Sequence, residues 1–213
     1  MELFIITMEV LGTIAFAISG AMEAVKKNMD VLGVAILGII TAVGGGIIRD
    51  IILGSTPPQA FRNPKYALIA FIISMIVFLF LYIHKKKTNE NIKKWYEKTL
   101  ILFDAIGLGV FTTIGISVAE PTVGINNWFL CVFVGVITGV GGGVLRDILA
   151  DITPYILIKH VYACASIIGA ITCVALWNII GKSIAMSVGT IVVIVIRLLA
   201  AHYKWNLPKI EHT

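Results

Sequence analysis

The sequence predicts an all-α integral membrane protein of seven transmembrane helices, arranged as two inverted three-helix repeats plus a seventh helix. Of its 213 residues, 58% are hydrophobic and only 14% are charged, whereas soluble proteins average about half apolar and a quarter charged. A second observation is a duplicated phrase, because TAVGGGIIRD from Thr41 returns as TGVGGGVLRD from Thr138. We therefore expect one membrane domain over residues 1–213, with no soluble domain.

Seven apolar stretches account for nearly the whole chain, and each is long enough to cross ~30 Å of hydrocarbon at 1.5 Å per residue. The first stretch lacks a basic start and carries Glu2 and Glu9, so it is predicted to be a span and not a cleaved signal peptide. The second stretch is followed by Pro57 and Pro58, which end helices. The predicted spans are residues 3–22, 31–53, 65–83, 99–119, 128–150, 155–177 and 183–203.

The duplicated phrase belongs to a repeat of three spans. An offset of 97 residues brings Gly38 onto Gly135, and an offset of 95 residues brings Phe16 onto Phe111. Because three is an odd number, the second copy must enter the membrane the opposite way up, which places functional sites near the midplane between the halves. The predicted division is 1–83 for repeat one, 99–177 for repeat two and 183–203 for the seventh helix.

Each repeat carries three consecutive glycines inside its second span. Glycine weakens a helix by about 1 kcal/mol relative to alanine, and non-helical backbone at membrane depth is tolerated only where it meets protein or a water-filled cavity. We therefore predict that helices two and five are broken at the triplets and that their carbonyl oxygens border an ion path. The predicted path residues are Thr41, Gly44, Gly45, Gly46, Thr138, Gly141, Gly142 and Gly143.

Charged residues at membrane depth accompany the triplets. Counting from the span ends puts Glu9 at a similar depth to Arg49 near one mouth of the path, and Asp104 at a similar depth to Arg146 near the other. Such charges face protein or water and mark functional sites, although ion pairs that only pin neighbouring helices are an alternative. The residues predicted to form charged pairs or to control gating are Glu9, Arg49, Asp50, Asp104, Arg146 and Asp147.

The residues leave two mechanisms open, and a scaffold without transport is a third reading. In a pore, carbonyls and threonine hydroxyls replace water around a monovalent cation while acids neutralise the arginines. In an alternating-access carrier, an arginine and the amino-terminal end of a half-helix hold the carboxylate of a small zwitterion. The sequence contains no phosphate-binding loop and no convergent catalytic residues. We therefore expect no enzyme activity, no cofactor and no metal beyond transient monovalent cations.

The net charge is +5, and most lysines fall on the same side of the membrane when the chain is placed as seven spans. This distribution indicates membrane topology and not a nucleic-acid partner. By the positive-inside rule this side is cytoplasmic, so the N-terminus is predicted outside the cell membrane and the C-terminus inside. Lysines of the connection 84–98 are also candidates to bind anionic lipids. Arg197 is expected to extend towards the cytoplasmic headgroups. The lysines on this side are Lys26, Lys27, Lys85, Lys86, Lys87, Lys93, Lys94, Lys98, Lys159, Lys204 and Lys209.

The doubled GGGxxRD, together with FAISGAMEAVKKNMDVLG from Phe16 and PPQAFRNPKY from Pro57, resembles the prokaryotic branch of the trimeric intracellular cation (TRIC) channel family. This family overlaps a bacterial family described as glycine transporters. The resemblance covers nearly the whole chain. It implies seven helices, kinks at the two triplets, and a homotrimer with a separate pore in each subunit.

The family leaves the channel and the amino-acid carrier both open. We favour the pore because the predicted breaks present carbonyl oxygens at mid-membrane from both halves, while each arginine has acids near enough to cancel its charge. We therefore expect passive conduction of K⁺ and Na⁺ with little discrimination, with transport of a small zwitterion such as glycine as the alternative. The expected partners are K⁺, Na⁺, membrane lipids and two further copies of the chain, with no nucleic acid.

Overall fold

The structure, a computed structural model, describes residues 1–83, 90–158 and 161–205 of the chain. Lys85, Lys86, Lys87, Lys159 and Lys209 lie outside the described residues, as do the side chains of Lys93 and Lys94. In the described part the chain forms nine α-helices: α1 Glu2–Lys26, α2 Val31–Ile52, α3 Gln59–Arg62, α4 Lys65–Ile83, α5 Glu90–Val123, α6 Trp128–Leu149, α7 Tyr155–Ile158, α8 Tyr162–Leu176 and α9 Lys182–Tyr203.

Six helices of the described part are long and apolar enough to cross a membrane: α1, α2, α4, α5, α6 and α9. The predicted span 155–177 differs, because it contains the separate four-residue helix α7 and the 15-residue helix α8. At 1.5 Å per residue α8 is about 22 Å long. The start of α7 is tied to the end of α6, since the amide of Tyr155 donates to Asp147 at 2.8 Å. A count of seven spanning helices therefore stays a prediction.

Helix α5 is longer than its predicted span of 99–119. It contains 34 residues and begins at Glu90, so part of the expected polar connection 84–98 is helical. At its other end α5 continues through Pro121 to Val123.

Helices α2 and α6 are continuous through their glycine triplets, so the predicted breaks and unwound carbonyls are wrong. The two helices cross at the triplets, and glycine is required there for a close approach of the backbones. A Cβ on Gly45 would lie 2.1 Å from the carbonyl oxygen of Thr138, and a Cβ on Gly142 would lie 2.1 Å from that of Thr41. Close packing thus outweighs the low helix propensity of glycine. A bend of either helix at the triplets stays a prediction.

Substituting Gly142 by alanine is expected to lower the thermal stability of the detergent-purified protein. The new methyl group meets a backbone oxygen at 2.1 Å, and such overpacking costs about 1–3 kcal/mol. Gly46→Ala is the matched control, because a Cβ there meets only the Arg49 side chain, at 3.6 Å or more. Equal melting temperatures for the two variants would contradict this account of the crossing.

Residues related by the predicted repeat make matching contacts. A Cβ on Gly107 would overlap the ring of Phe16, at 2.1 Å, and a Cβ on Gly12 would lie 3.1 Å from the ring of Phe111. In each contact a glycine of one helix packs against the phenylalanine of the other, so α1 and α5 make the same kind of contact with each other. They support the inverted duplication, which stays a prediction.

We call the two ends of the helix bundle the N-terminal side, where α1 begins, and the C-terminal side, where α1 ends. On the N-terminal side, Ser183 at the start of α9 donates to the sulfur of Met1 at 3.3 Å. Helix α9 therefore runs in the same direction as α1. On the C-terminal side, Lys27 donates to the carbonyl of Asp151, just after α6, at 3.2 Å.

Candidate functional site

Each side of the α2–α6 crossing carries a cluster of charged and tyrosine residues. The N-side cluster consists of Glu9, Arg49, Asp50 and Tyr66. The C-side cluster consists of Ser19, Asp104, Arg146, Asp147, Tyr162 and Arg197. The predicted charged residues are therefore divided between the two clusters, three in each.

In the N-side cluster, Arg49 is paired with its chain neighbour. Its Nε and Nη2 atoms each lie 2.8 Å from Oδ1 of Asp50, whose other oxygen accepts the amide of Gln59 at 2.7 Å. Glu9 instead accepts a hydrogen bond from the hydroxyl of Tyr66. The expected ion pair of Glu9 with Arg49 is not formed. Within the described residues, Nη1 of Arg49 and one oxygen of Glu9 have no hydrogen-bond partner.

A cavity opens beside these groups. It has a volume of about 50 Å³, enough for a few water molecules. Its charged lining residues carry a formal charge of −1, because one arginine faces two acids. The residues that line it include Glu9, Thr13, Gly46, Arg49, Asp50, Gln59, Tyr66, Phe111 and Ile114.

In the C-side cluster, Arg146 is completely buried and holds three side chains at once. Its Nη1 atom donates to Asp104 at 2.7 Å and to Ser19 at 2.6 Å. Its Nε and Nη2 atoms donate to Asp147 at 2.9 Å and 2.8 Å. The pair of Asp104 with Arg146 is thus formed as expected, and it joins α1, α5 and α6 on this side.

Arg197 completes the C-side cluster, so the expectation that it reaches the lipid headgroups is wrong. Only 5% of the residue is exposed. Its Nη2 atom lies 3.5 Å from Oδ2 of Asp104, and its guanidinium carbon lies 4.6 Å from the ring centroid of Tyr162. Asp104 on α5 faces the interior of the bundle, and its carboxylate attracts the guanidinium of Arg197 inward, away from the headgroups.

Two aromatic rings separate the clusters. Phe16 and Phe111 pack with ring centroids 5.3 Å apart, and Phe111 also lines the N-side cavity. The hydroxyls of Thr41 and Thr138 donate to carbonyls of their own helices, each at 2.6 Å. In this conformation the centre of the bundle is therefore packed.

The glycines of the predicted path face different surroundings. Gly46 lines the N-side cavity, and its counterpart Gly143 faces Tyr162 in the C-side cluster. Gly44 faces Leu145 in an apolar groove, and Gly141 lies against Gly45 at the crossing. Only Gly46 and Gly143 thus face the charged clusters, and the role of all eight residues in conduction stays a prediction.

Sequence reasoning missed Ser19, Tyr66 and Tyr162. The two tyrosines are 96 residues apart, between the two offsets of the repeat, and each donates to the membrane-embedded acid of its own half. That spacing is a signal that a search of the repeat for polar residues would find. Ser19 leaves no such signal, because its counterpart is Ile114.

Among the described residues, no group of three or more His, Cys, Asp or Glu side chains is placed to hold a metal ion. The absence of a resident metal and of a cofactor stays an expectation.

The chain is similar to membrane proteins of several bacteria. The sequence profile of the family described as "Glycine transporter" matches residues 6–82 and 101–178, one segment in each half. The UPF0126 inner membrane protein YadS of Escherichia coli K12 is 37% identical over 203 residues, which are 94% of this chain and 93% of that protein. The UPF0126 membrane protein YvgT of Bacillus subtilis 168 is 37% identical and is covered to 94%, as is this chain.

The chain is also similar to solved TRIC structures. A prokaryotic TRIC channel in 0.5 M KCl is 32% identical with a TM-score of 0.86, over 97% of this chain and 100% of that one. The TRIC orthologue from Rhodobacter sphaeroides is 30% identical with a TM-score of 0.83, over 94% and 98% of the two chains. A third structure, which concerns conductance through TRIC cation channels, is 39% identical with a TM-score of 0.81, over 97% of both chains.

These similarities, together with six long apolar helices in the described part, support a multi-pass membrane protein. The chain belongs to the family of TRIC channels, which overlaps the bacterial family described as glycine transporters.

Proposed function

We propose that the protein is a monovalent cation channel that conducts K⁺ and Na⁺ through a pore within each subunit of a homotrimer. The observation that carries this proposal is the acidic N-side cavity inside a single chain, which leads to the crossing of α2 and α6. Beyond the crossing lies the C-side cluster, which includes the repeat counterparts of the N-side residues. A path bounded by α1, α2, α5 and α6 needs no second subunit.

The N-side cavity favours cations. Its net charge of −1 attracts cations into a confined space with low-dielectric walls, and the free oxygen of Glu9 offers a ligand. Unwound carbonyls play no part in this path, because both triplets are helical. Helical triplets do not offer rigid rings of carbonyl oxygens to discriminate K⁺ from Na⁺, so weak selectivity is expected.

The described conformation is closed on the C-terminal side. Arg146 joins Asp104 to Ser19 across the bundle, and every one of these side chains is fully buried. Conduction requires these contacts to open and the Phe16–Phe111 pair to separate. The C-side cluster is therefore proposed as the gate of the channel.

The test of the proposed function is reconstitution into planar bilayers under a KCl gradient, beside uptake of labelled glycine into liposomes. Unitary currents that reverse near the K⁺ equilibrium potential support a cation channel, and replacing K⁺ by Na⁺ should change their size only slightly. Saturable glycine uptake without unitary currents would show that the proposal is wrong.

A small-zwitterion carrier is the second candidate, and one feature of the cavity favours it. Arg49 and Glu9 both line the cavity, and their opposite charges match the carboxylate and the ammonium group of a small amino acid. The family description as glycine transporters agrees with this chemistry.

The homotrimer is proposed from the similarity to the TRIC orthologue, which is described as a trimeric intracellular cation channel. The α2–α6 crossing leaves an apolar groove of about 340 Å³ on the bundle surface, with Gly44, Leu145 and Ile148 in its lining, and a neighbouring subunit or lipid is expected to cover it. We expect a trimer in mass measurements of the detergent-solubilised protein, corrected for bound detergent. A monomer or a dimer would contradict this assembly.

The N-terminal side is proposed to face the outside of the cell membrane. Lys26 and Lys27 lie on the C-terminal side, close to the chain reversal before α2, as the positive-inside rule requires of a cytoplasmic surface. The C-terminus of the chain follows α9 and should then lie in the cytoplasm. If a membrane-impermeant reagent labelled a cysteine added at the C-terminus in intact cells, this orientation would be wrong.

A further inference from the structure

Helix α9 lies outside the predicted repeat, yet it places a charge in the C-side cluster. Arg197 is 5% exposed, and its Nε atom is buried without a hydrogen-bond partner in the described part of the chain. A buried N–H group without a partner is costly, and a charge at membrane depth is costly as well. Packing alone does not explain why an arginine occupies this position.

The charge of Arg197 distinguishes the two sides of the path. Without it, the C-side cluster would hold Arg146 against two acids, which is the composition of the N-side cluster and gives the same formal charge of −1. With it, the C-side cluster is neutral. The N-side cluster, which has no such second arginine, borders an open cavity, whereas the C-side cluster is sealed.

The contacts of Arg197 show how it acts on the seal. It lies 3.5 Å from Oδ2 of Asp104, while Oδ1 of the same carboxylate receives Arg146 at 2.7 Å. The guanidinium also lies over the ring of Tyr162, whose hydroxyl donates to Oδ1 of Asp104 at 3.3 Å. Arg197 therefore contacts both Asp104 itself and Tyr162, which donates to the same carboxylate.

We propose that Arg197 is the positioning residue that makes the C-terminal side the closed side of the path, by holding Asp104 where Arg146 can bridge it to α1. Because α9 has no counterpart in the first repeat, the N-terminal side lacks this restraint. The inference rests on the proposed path and gate, but not on which solute moves through them.

The first test compares Arg197→Gln with the parent in planar bilayers. We expect the open probability to rise about ten-fold, as the loss of one charge-assisted contact in the closed state predicts. The unitary conductance should stay unchanged, since Arg197 does not line the N-side cavity. Arg197→Lys keeps the charge and should restore much of the closure. Thr190→Val is the matched control on α9, because Thr190 is buried against Thr113 at 2.9 Å and does not touch the cluster.

The second test measures opening without conduction. Thr13 lines the N-side cavity, and its repeat counterpart, at an offset of 95, is the fully buried Leu108. Leu108→Cys, in a background in which the three native cysteines are alanine, should react slowly with an impermeant thiol reagent added on the C-terminal side. Adding Arg197→Gln should speed this reaction about ten-fold, and Thr190→Val should not.

The outcomes separate the inference from the proposed function. Faster labelling without any unitary current would support the role of Arg197 and reject the channel. An unchanged labelling rate in Arg197→Gln would overturn the inference and leave Ser19 as the difference between the two sides. An equal acceleration by Thr190→Val would also overturn it, because loosening of α9 would then be the cause.

Discussion

Replacing Arg146 by glutamine is expected to destabilise the protein by about 3–5 kcal/mol, the usual cost of removing one partner from a buried ion pair. The arginine is 0% exposed and contacts two carboxylates. Its loss leaves the carboxylates of Asp104 and Asp147 buried, with Arg197 as the remaining cation of the C-side cluster. Thermal unfolding of the purified protein measures this loss of stability. We also expect a higher open probability in planar bilayers, because the bridge from α5 to α1 is lost.

The repeat provides a matched control for this substitution. Arg49→Gln removes the related arginine, which is 8% exposed and, among the described residues, pairs with one acid, Asp50, so its effect on stability should be much smaller. The double variant Asp104→Asn with Arg146→Gln should recover part of the lost stability, since one uncompensated charge has gone. If Arg146→Gln melts at the parent temperature, the C-side cluster does not hold the closed state together.

The limits of several helices could be predicted from sequence because local chemistry marks them. Asp30 accepts the amide of Gly33 and caps the start of α2, and Asn127 caps α6 in the same way. Both predicted spans end within one residue of the helices themselves. Gly181, with a φ of 85°, likewise marks the start of α9. Asp, Asn and Gly at the residue before a helix are recognisable in the sequence without tertiary information.

The role of the glycine triplets in helix packing could not be predicted from the sequence, because helix propensity concerns one helix at a time and not its contacts with another. Gly45 and Gly142 are required by the backbone of the opposite helix, a contact that depends on how α2 and α6 cross. The same limitation explains the error at Glu9 and Arg49. Their depths agree, but depth does not specify the direction in which each side chain points. Tyr66 and Asp50 lie closer and form the actual hydrogen bonds.

The asymmetry of the two sides was also hidden in the sequence. The repeat predicts equivalent clusters, and each cluster does contain the three charged residues of its own half. Two residues without a polar counterpart, Ser19 and Arg197, distinguish the C-terminal side. A repeat alignment emphasises what the halves share, so it does not reveal the residues that make one side open and the other closed.

Replacing Arg49 by glutamine is expected to raise the unitary K⁺ conductance if the protein is a channel, and to abolish saturable uptake if it is a zwitterion carrier. The substitution changes the formal charge of the cavity from −1 to −2, so the local cation concentration rises, by about two-fold or more at low salt. The gain should shrink towards 1 M KCl, where the screening length is about 3 Å. A carrier loses its carboxylate partner instead.

Arg62→Gln makes the same change of charge on the same side but outside the cavity. Arg62 is exposed and donates to the carbonyl of Thr56 at 2.7 Å, so its removal should alter conductance little at 0.15 M salt, where screening acts within about 8 Å. A conductance that rises in Arg49→Gln and not in Arg62→Gln places the permeating cation beside Glu9 and Asp50. A conductance that falls would mean that Arg49 does not face the ion, and the path would then have to bypass the N-side cavity.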